Sequence, residues 1–180
     1  MRAPFFLFAA VFALTAPQVR AAGLDMPLGP APRGSDPYAA AVARTVQAMI
    51  DYTRWPDQPD PLLLCTVGAV SHAEQLGELT LADGHKVQHR QVAASPAALG
   101  GCDVVYLGAL GLTEQRQLTG AVRGRAVLTI AESDPDCRSE AMFCLLFEPQ
   151  ALNFRLNLDA VSRSGLKVDP RVLRMAKGGM

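Results

Sequence analysis

The chain has 180 residues, and its 17 Lys and Arg residues balance 17 Asp and Glu residues, so the formal net charge is zero. Aromatic residues make up 6% of the chain, with a single Trp. This composition lacks the basic surface of a nucleic-acid-binding protein and excludes that class, while the length suits one domain with a sizeable core.

Residues 1–21 have the pattern of a secretory signal peptide. A basic residue precedes an apolar run from Phe5 to Ala16, and small residues before Ala22 suit cleavage there. The apolar run is about twelve residues long, shorter than the roughly twenty that a bilayer span requires. We therefore predict that the protein is exported and begins near Ala22 after cleavage.

The segment 22–37 is rich in proline and glycine and has no apolar period, so it is predicted to be a flexible N-terminal segment. One domain is expected over residues 38–180. Its first helix is predicted over 38–52, where apolar residues recur at helical spacing, with Ser35 or Asp36 as the N-cap.

Strands and helices are predicted to alternate through most of the domain. Short apolar runs predict strands at 62–67, 86–92, 103–107 and 126–130, with helices through 74–76, around 96–99 and around 113–121. Alternation of this kind is typical of an α/β domain with a mainly parallel twisted sheet flanked by helices.

Near the C-terminus the pattern changes. Two apolar stretches within 142–156 are joined by a short turn-like segment that leaves no room for a helix, which predicts an antiparallel β-hairpin. Two short helices are expected after it, one over 159–164 and one that opens at Asp169 and Pro170.

Four cysteines lie in the exported part of the chain, at Cys65, Cys102, Cys137 and Cys144. Because export exposes thiols to oxidising conditions, an even number is expected to pair, and three connectivities are possible. The chain contains no Cys-x-x-Cys, so neither a thioredoxin-type centre nor a zinc site is predicted, and we expect no metal or cofactor.

An enzyme is not expected, because the three histidines are too scattered for a catalytic triad and the chain has no nucleophile motif. A small-molecule-binding module is the alternative, since open parallel sheets offer a crevice at the carboxyl ends of their strands, here near Gly68, Gly108 and Glu132. Trp55 could stack on a ligand, although a position closing the bottom of the sheet is the favoured interpretation.

Several segments resemble the YfiR family of periplasmic repressors of inner-membrane diguanylate cyclases. The similarity is most specific in the last third of the chain and covers nearly all of the exported part. The matching segments are CRSEAMFCLL (137–146), FRLNLDAVSRSGLKV (154–168), PRVLRMA (170–176), YTRWP (52–56), LCxxG (64–68), GCD (101–103) and VLTI (127–130).

The resemblance implies a homodimer that docks on the periplasmic sensor region of a membrane diguanylate cyclase and lowers its cyclic-di-GMP output, thereby restraining biofilm formation. No catalytic turnover and no cofactor are implied. In the family the repressor is itself captured by an outer-membrane lipoprotein, and its behaviour depends on its disulfides.

The resemblance also implies partner-sensitive positions at Phe143, Arg155 and Val161. Phe143 is either an exposed anchor for the partner or a core residue beneath a covering helix. Arg155 stands where relatives tend to carry an acidic residue, so its contact chemistry is expected to differ from theirs.

Matching the cysteines to the family selects the pairs Cys65–Cys102 and Cys137–Cys144. Loop-closure entropy gives roughly 4 kcal/mol for the longer loop and roughly 2.5 kcal/mol for the shorter. We therefore predict that Cys65–Cys102 mainly stabilises the fold, whereas Cys137–Cys144 shapes a functional loop and opens at lower reductant concentration. Mass mapping of thiols under graded reductant tests this order, and earlier opening of Cys65–Cys102 would contradict it.

Overall fold

The computed structural model describes residues 26–28 and 35–175, so the predicted signal peptide lies outside the described residues. The helices are α1 (Ala39–Asp51), α2 (Leu112–Ala121), α3 (Leu158–Ser162) and α4 (Val172–Met175), with 3₁₀ turns at Leu76–Glu78 and Pro96–Leu99. The strands are β1 (Met26–Pro27), β2 (Thr53–Arg54), β3 (Leu63–Val67), β4 (Gln88–Val92), β5 (Val104–Leu107), β6 (Leu128–Ala131), β7 (Phe143–Glu148), β8 (Ala151–Leu156) and β9 (Lys167–Val168). None of the described helices is long and apolar enough to cross a membrane.

Seven of these strands form one sheet in the order β1-β8-β7-β6-β5-β3-β4, and β2 pairs with β9 in a separate two-stranded sheet. The five strands from β7 to β4 run parallel, whereas β7 and β8 form an antiparallel hairpin that β1 extends. The predicted fold class, a single α/β domain with a mainly parallel sheet and a C-terminal hairpin, is confirmed. Within the segment 22–37, β1 lies at a sheet edge, and the predicted flexibility of that segment stays a prediction.

The central strands carry apolar residues on both of their sides, and both faces of the sheet are covered. One face packs with α1 in a large core cluster that includes Val42, Val46, Met49, Ile50, Leu64, Tyr106, Ile130 and Phe143. The opposite face packs with α2 in a second cluster that includes Cys65, Val67, Cys102, Val105, Leu107, Leu118 and Val122. Neighbouring residues of β3 and β5 therefore belong to different cores.

The helix expected through residues 74–76 is wrong, since the structure has only a 3₁₀ turn at Leu76–Glu78 there. The backbone before this turn is hydrogen-bonded to a residue that is distant in the sequence. The amide groups of Ser71 and His72 donate to the carboxylate of Glu132, at 2.8 Å each. These two bonds hold the backbone of Ser71 and His72 against the residue that follows β6.

The loops that follow β3 and β5 lie in close contact across the end of the sheet. Ala69 forms an isolated β-bridge with Ala109. A Cβ placed on Gly108 would lie 2.3 Å from the carbonyl oxygen of Ala69, which is closer than any real contact allows. Only glycine fits at position 108 while the two loops keep this approach.

We predict that Gly108→Ala destabilises the protein by about 1–3 kcal/mol, because the new methyl group must displace the backbone at Ala69. Gly120→Ala is the matched control, since Gly120 lies inside α2 with no atom within 4 Å of an added Cβ. That control is expected to stabilise the helix by about 0.5–1 kcal/mol. Urea unfolding of both variants measures the difference, and equal midpoints would contradict the close approach.

Candidate functional site

The crevice predicted at the carboxyl ends of the strands is filled by the protein itself. Glu132 is 3% exposed, and it accepts the hydroxyl proton of Tyr106 at 2.9 Å as well as the amides of Ser71 and His72. Burial raises the pKa of Tyr106, and the charge and hydrogen bond of Glu132 raise it further, so the phenol remains a donor. The expected ligand crevice near Gly68, Gly108 and Glu132 is therefore wrong.

The chain entering α1 is attached to the same region. Asp36 does not cap α1 as expected, because the helix begins after Tyr38. One Asp36 oxygen accepts the Tyr38 amide at 3.0 Å, and the other lies 2.8 Å from Nδ1 of His72. The His72 ring also packs against Tyr38 and Phe147, at centroid distances of 5.0 and 4.4 Å, so it joins two distant segments.

The three histidines do not converge on one site. His85 lies 3.5 Å from a carboxylate oxygen of Asp60, and His89 lies 3.1 Å from the hydroxyl of Thr66, where burial lowers its pKa. His72 is bound at the opposite end of the strands. Among residues 26–28 and 35–175, no group of three His, Cys, Asp or Glu side chains could hold a metal ion.

A separate cleft of about 750 Å³ lies beside Trp55, between the end of α1 and the segment before β4. Trp55 is 9% exposed and belongs to the core cluster under α1, which agrees with its expected position closing the sheet. Its indole Nε1 is buried without a hydrogen-bond partner among the described residues. Leu81, His85 and Lys86 also line the cleft.

The structure contains the two disulfides that the resemblance implies. Cys65–Cys102 joins the middle of β3 to the residues that precede β5, with a Cα separation of 5.8 Å. Both cysteines are buried in the core cluster under α2. This bridge therefore lies inside the hydrophobic core, where it fixes two parallel strands relative to each other.

Cys137–Cys144 closes a loop between β6 and β7, with a Cα separation of 5.4 Å. Cys144 is fully buried beside Ala131 and Ala141, whereas Cys137 is half-buried at the edge of this small cluster. Cys137 is therefore the more exposed residue of this bridge.

Asp134 organises the loop that this bridge closes. Its two carboxylate oxygens accept the amides of Arg138 and Ser139, at 2.9 and 2.6 Å. Burial opposes the charge of Asp134, but the hydrogen bonds from Ser139 and Arg138 outweigh this effect and hold its pKa below the usual value. The loop also contacts α2, where Arg116 and Thr119 donate to the carbonyls of Arg138 and Ser139 at 2.8 and 2.7 Å.

Phe143 is fully buried and stacks edge-to-face with Phe154 at a centroid distance of 5.5 Å. The core alternative is therefore the one that the structure shows, and the exposed-anchor alternative is wrong. Its strand neighbour Cys144 points to the opposite face and meets the disulfide loop.

Arg155 lies on β8 directly opposite Cys144 of β7 and is exposed. Val161, half-buried on α3, lies three residues after Leu158, so both fall on one side of the helix. Leu158 is 70% exposed. We call Arg155, Leu158 and Val161 the hairpin–helix surface.

The sequence predictions included Arg155 and Val161 but missed Leu158. The spacing of Leu158 and Val161 was the available signal, because it places two apolar residues together on a very short helix. Asn157 caps that helix by accepting the Ala160 amide at 3.0 Å. The helix start is thus determined locally, while none of its residues is buried.

Comparison with known proteins identifies the family of the chain. A solved structure of O-acetylhomoserine sulfhydrylase from Wolinella succinogenes is similar to the chain at 11% identity and a TM-score of 0.39, over 63% of this chain and 37% of that one. A likeness this low carries no argument about function. Residues 39–177 match the YfiR/HmsC-like family. The chain therefore belongs to the YfiR/HmsC-like family, which consists of non-catalytic periplasmic regulators of diguanylate cyclase signalling.

Proposed function

We propose that this protein binds the periplasmic sensor region of an inner-membrane diguanylate cyclase and lowers its cyclic-di-GMP output. The observation that carries the proposal is the hairpin–helix surface, where Arg155 is exposed on β8 and Leu158, three residues later at the start of α3, is 70% exposed. Membership of the YfiR/HmsC-like family supports a role in diguanylate cyclase signalling.

The hairpin–helix surface has the chemistry of a docking site. Leu158 exposes 70% of its surface, and it is the large apolar side chain that stands out as exposed among the described residues. Arg155 forms no ion pair with a described residue, in contrast to Arg163, which pairs with Asp159 on α3. An apolar partner surface with an acidic group is therefore complementary to this one.

Phe143 supports this surface from beneath. It lies opposite Leu156 in the hairpin, on the buried face of β7, and packs on Phe154. A substitution at Phe143 would alter the hairpin that carries Arg155, so its partner sensitivity is an effect of packing.

We propose that redox control through the Cys137–Cys144 bridge acts on the same hairpin–helix surface. Cross-strand neighbours in an antiparallel hairpin have Cβ atoms about 5 Å apart on one face, and Arg155 is the neighbour of Cys144. Breaking the Cys137–Cys144 bridge would free the loop next to Arg155. We propose that the oxidised state holds Arg155 in the position that the cyclase recognises.

Homodimer formation and capture by an outer-membrane lipoprotein complete the proposal. The family resemblance supports both. Export through a cleaved signal peptide over residues 1–21 belongs to the same proposal, because the partner regions lie in the periplasm.

A small-molecule-binding module is the second candidate function. The cleft beside Trp55 favours it, because the volume of about 750 Å³ is that of a ligand pocket and the buried indole Nε1 lacks an acceptor among the described residues.

We predict that Arg155→Glu abolishes inhibition of the cyclase, because it reverses the charge that faces the partner. Arg90→Glu is the matched control, since Arg90 is also exposed on a strand, at the opposite end of the sheet. Cellular cyclic-di-GMP in a deletion strain complemented with each variant is the readout. Complementation with Arg90→Glu should lower it several-fold, and complementation with Arg155→Glu should not.

Deleting the gene separates the two candidate functions. Raised cyclic-di-GMP and thicker biofilm support the inhibitor, whereas an unchanged level contradicts it and leaves the ligand-binding module. A pull-down of the oxidised protein with periplasmic fragments of membrane cyclases identifies the partner directly.

A further inference from the structure

We propose that the outer edge of β8, on which β1 lies, accepts an extended strand of the cyclase's periplasmic region. The added strand pairs with the backbone of Phe154 and Leu156 and carries an acidic residue opposite Arg155. This inference rests on the proposed function and adds the mode of docking. In binding of this kind, main-chain hydrogen bonds supply affinity and the alternating side chains supply specificity.

The outer edge of β8 is only partly covered by β1. β8 has six residues, and β1 pairs with the first two of them, Ala151 and Leu152. Among the described strands, only β1 and β7 are neighbours of β8. The C-terminal half of β8 therefore has no described strand on its outer side.

The backbone groups of two residues point out from this part of the edge. Across the hairpin, the Asn157 amide donates to the carbonyl oxygen of Met142 at 2.8 Å. Because hydrogen-bonded positions alternate along an antiparallel strand, the amide and carbonyl groups of Leu156 point away from β7, and those of Phe154 do so as well. They offer two donors and two acceptors to a further strand.

The side chains along this edge define the partner strand. Phe154 belongs to the core cluster under α1, and Leu156 is half-buried against it. Arg155 is exposed on the opposite face. An added strand therefore meets apolar side chains at two alternate positions and a positive charge at the position between them. An acidic residue flanked by apolar residues is the complementary pattern.

A second copy of this chain fits the edge less well. If two copies paired antiparallel through both Phe154 and Leu156, Arg155 would lie directly opposite the same arginine of the second copy, and like charges at that position destabilise a sheet. A shift toward the hairpin turn would bring the second copy against β1, which already pairs with Leu152. A charged side chain on an open edge is a common device against self-pairing. Arg155 thus repels a copy and attracts an acidic strand.

The first test is amide hydrogen exchange, measured by NMR on the ¹⁵N-labelled mature protein. The protein is compared alone and with the periplasmic cyclase fragment recovered in the pull-down. We expect the amides of Phe154 and Leu156 to exchange rapidly in the free protein. In the complex they should exchange at least about tenfold more slowly, because each gains a backbone acceptor.

The opposite edge of the same sheet supplies the control. On β4, the Gln88 amide donates to the carbonyl oxygen of Leu62, so the amides of His89 and Gln91 alternate with it and point outward. Their exchange should be the same in the free protein and in the complex.

The outcomes separate this inference from the proposed function. Unchanged exchange of Phe154 and Leu156 in a complex that forms would overturn strand addition and leave the proposed function standing. Slow exchange of both amides in the free protein would also overturn it. The edge would then be occupied by this chain's own N-terminal residues or, if protection rises with protein concentration, by a second copy. A wild-type protein that binds no cyclase fragment overturns both.

The second test removes one edge donor. Leu156→Pro eliminates the outward amide and leaves the β7–β8 hydrogen bonds in place, whereas the control Leu156→Ala shortens the side chain and keeps the amide. Leu156→Pro should bind the fragment on the order of tenfold more weakly than Leu156→Ala, because a carbonyl of the partner strand loses its donor. Equal affinities of the two folded variants would contradict the pairing. If Leu156→Pro does not fold, the exchange measurement decides.

The third test concerns the acidic residue. Arg155→Gln keeps the strand backbone and removes the charge, so it should bind the fragment several-fold more weakly than wild type at low ionic strength. That difference should disappear near about 1 M salt, where charges are screened within about 3 Å. Arg90→Gln, at an exposed position of β4, should bind as wild type does. An affinity that Arg155→Gln leaves unchanged would overturn the charge pairing.

Discussion

The buried carboxylate of Glu132 is the interaction on which the arrangement of this protein depends. Glu132 directly follows β6 and accepts hydrogen bonds from two backbone amides of the loop after β3 and from the hydroxyl of Tyr106. Three donors satisfy a charge that would otherwise be costly to bury. The same contacts draw the loop over the end of the sheet, fill the crevice where α/β proteins bind ligands, and place His72 against Asp36. A fold that often holds a small molecule is thereby closed at its usual binding edge.

Much of this fold is predictable from local sequence patterns. The apolar runs identify the strands, and the change of pattern after residue 142 identifies the hairpin. The loop after β3 forms only a 3₁₀ turn where a helix is expected, and its contact with Glu132, which is 60 residues away from His72, is not visible in a local sequence pattern. The face of Phe143 was left open for a similar reason. Alternation along a strand assigns Phe143 and Cys144 to opposite faces, but it does not show that both faces of β7 are covered at these positions.

Less of the candidate site than of the fold is predictable from the sequence. Resemblance selected the cysteine pairs and the positions Arg155 and Val161, whereas only the structure shows that Arg155 faces Cys144 across the hairpin. It also shows why the two bridges differ. One lies in the core between parallel strands, and the other closes a loop in which Cys137 is half-buried. The exposed Leu158 begins a short helix that Asn157 caps, so a local capping signal determines where this side chain lies.

The contact between Gly108 and the carbonyl oxygen of Ala69 has a consequence for how such domains diverge. With hydrogen as its side chain, position 108 lets two loops seal the strand ends. A homologue with any larger residue there must separate those loops. The carboxylate at position 132 would then lose its backbone donors, and water would enter between the loops. Closed and ligand-accepting members of one fold could thus be distinguished by reading a single position, and conversion between them would require compensating change at the buried acid.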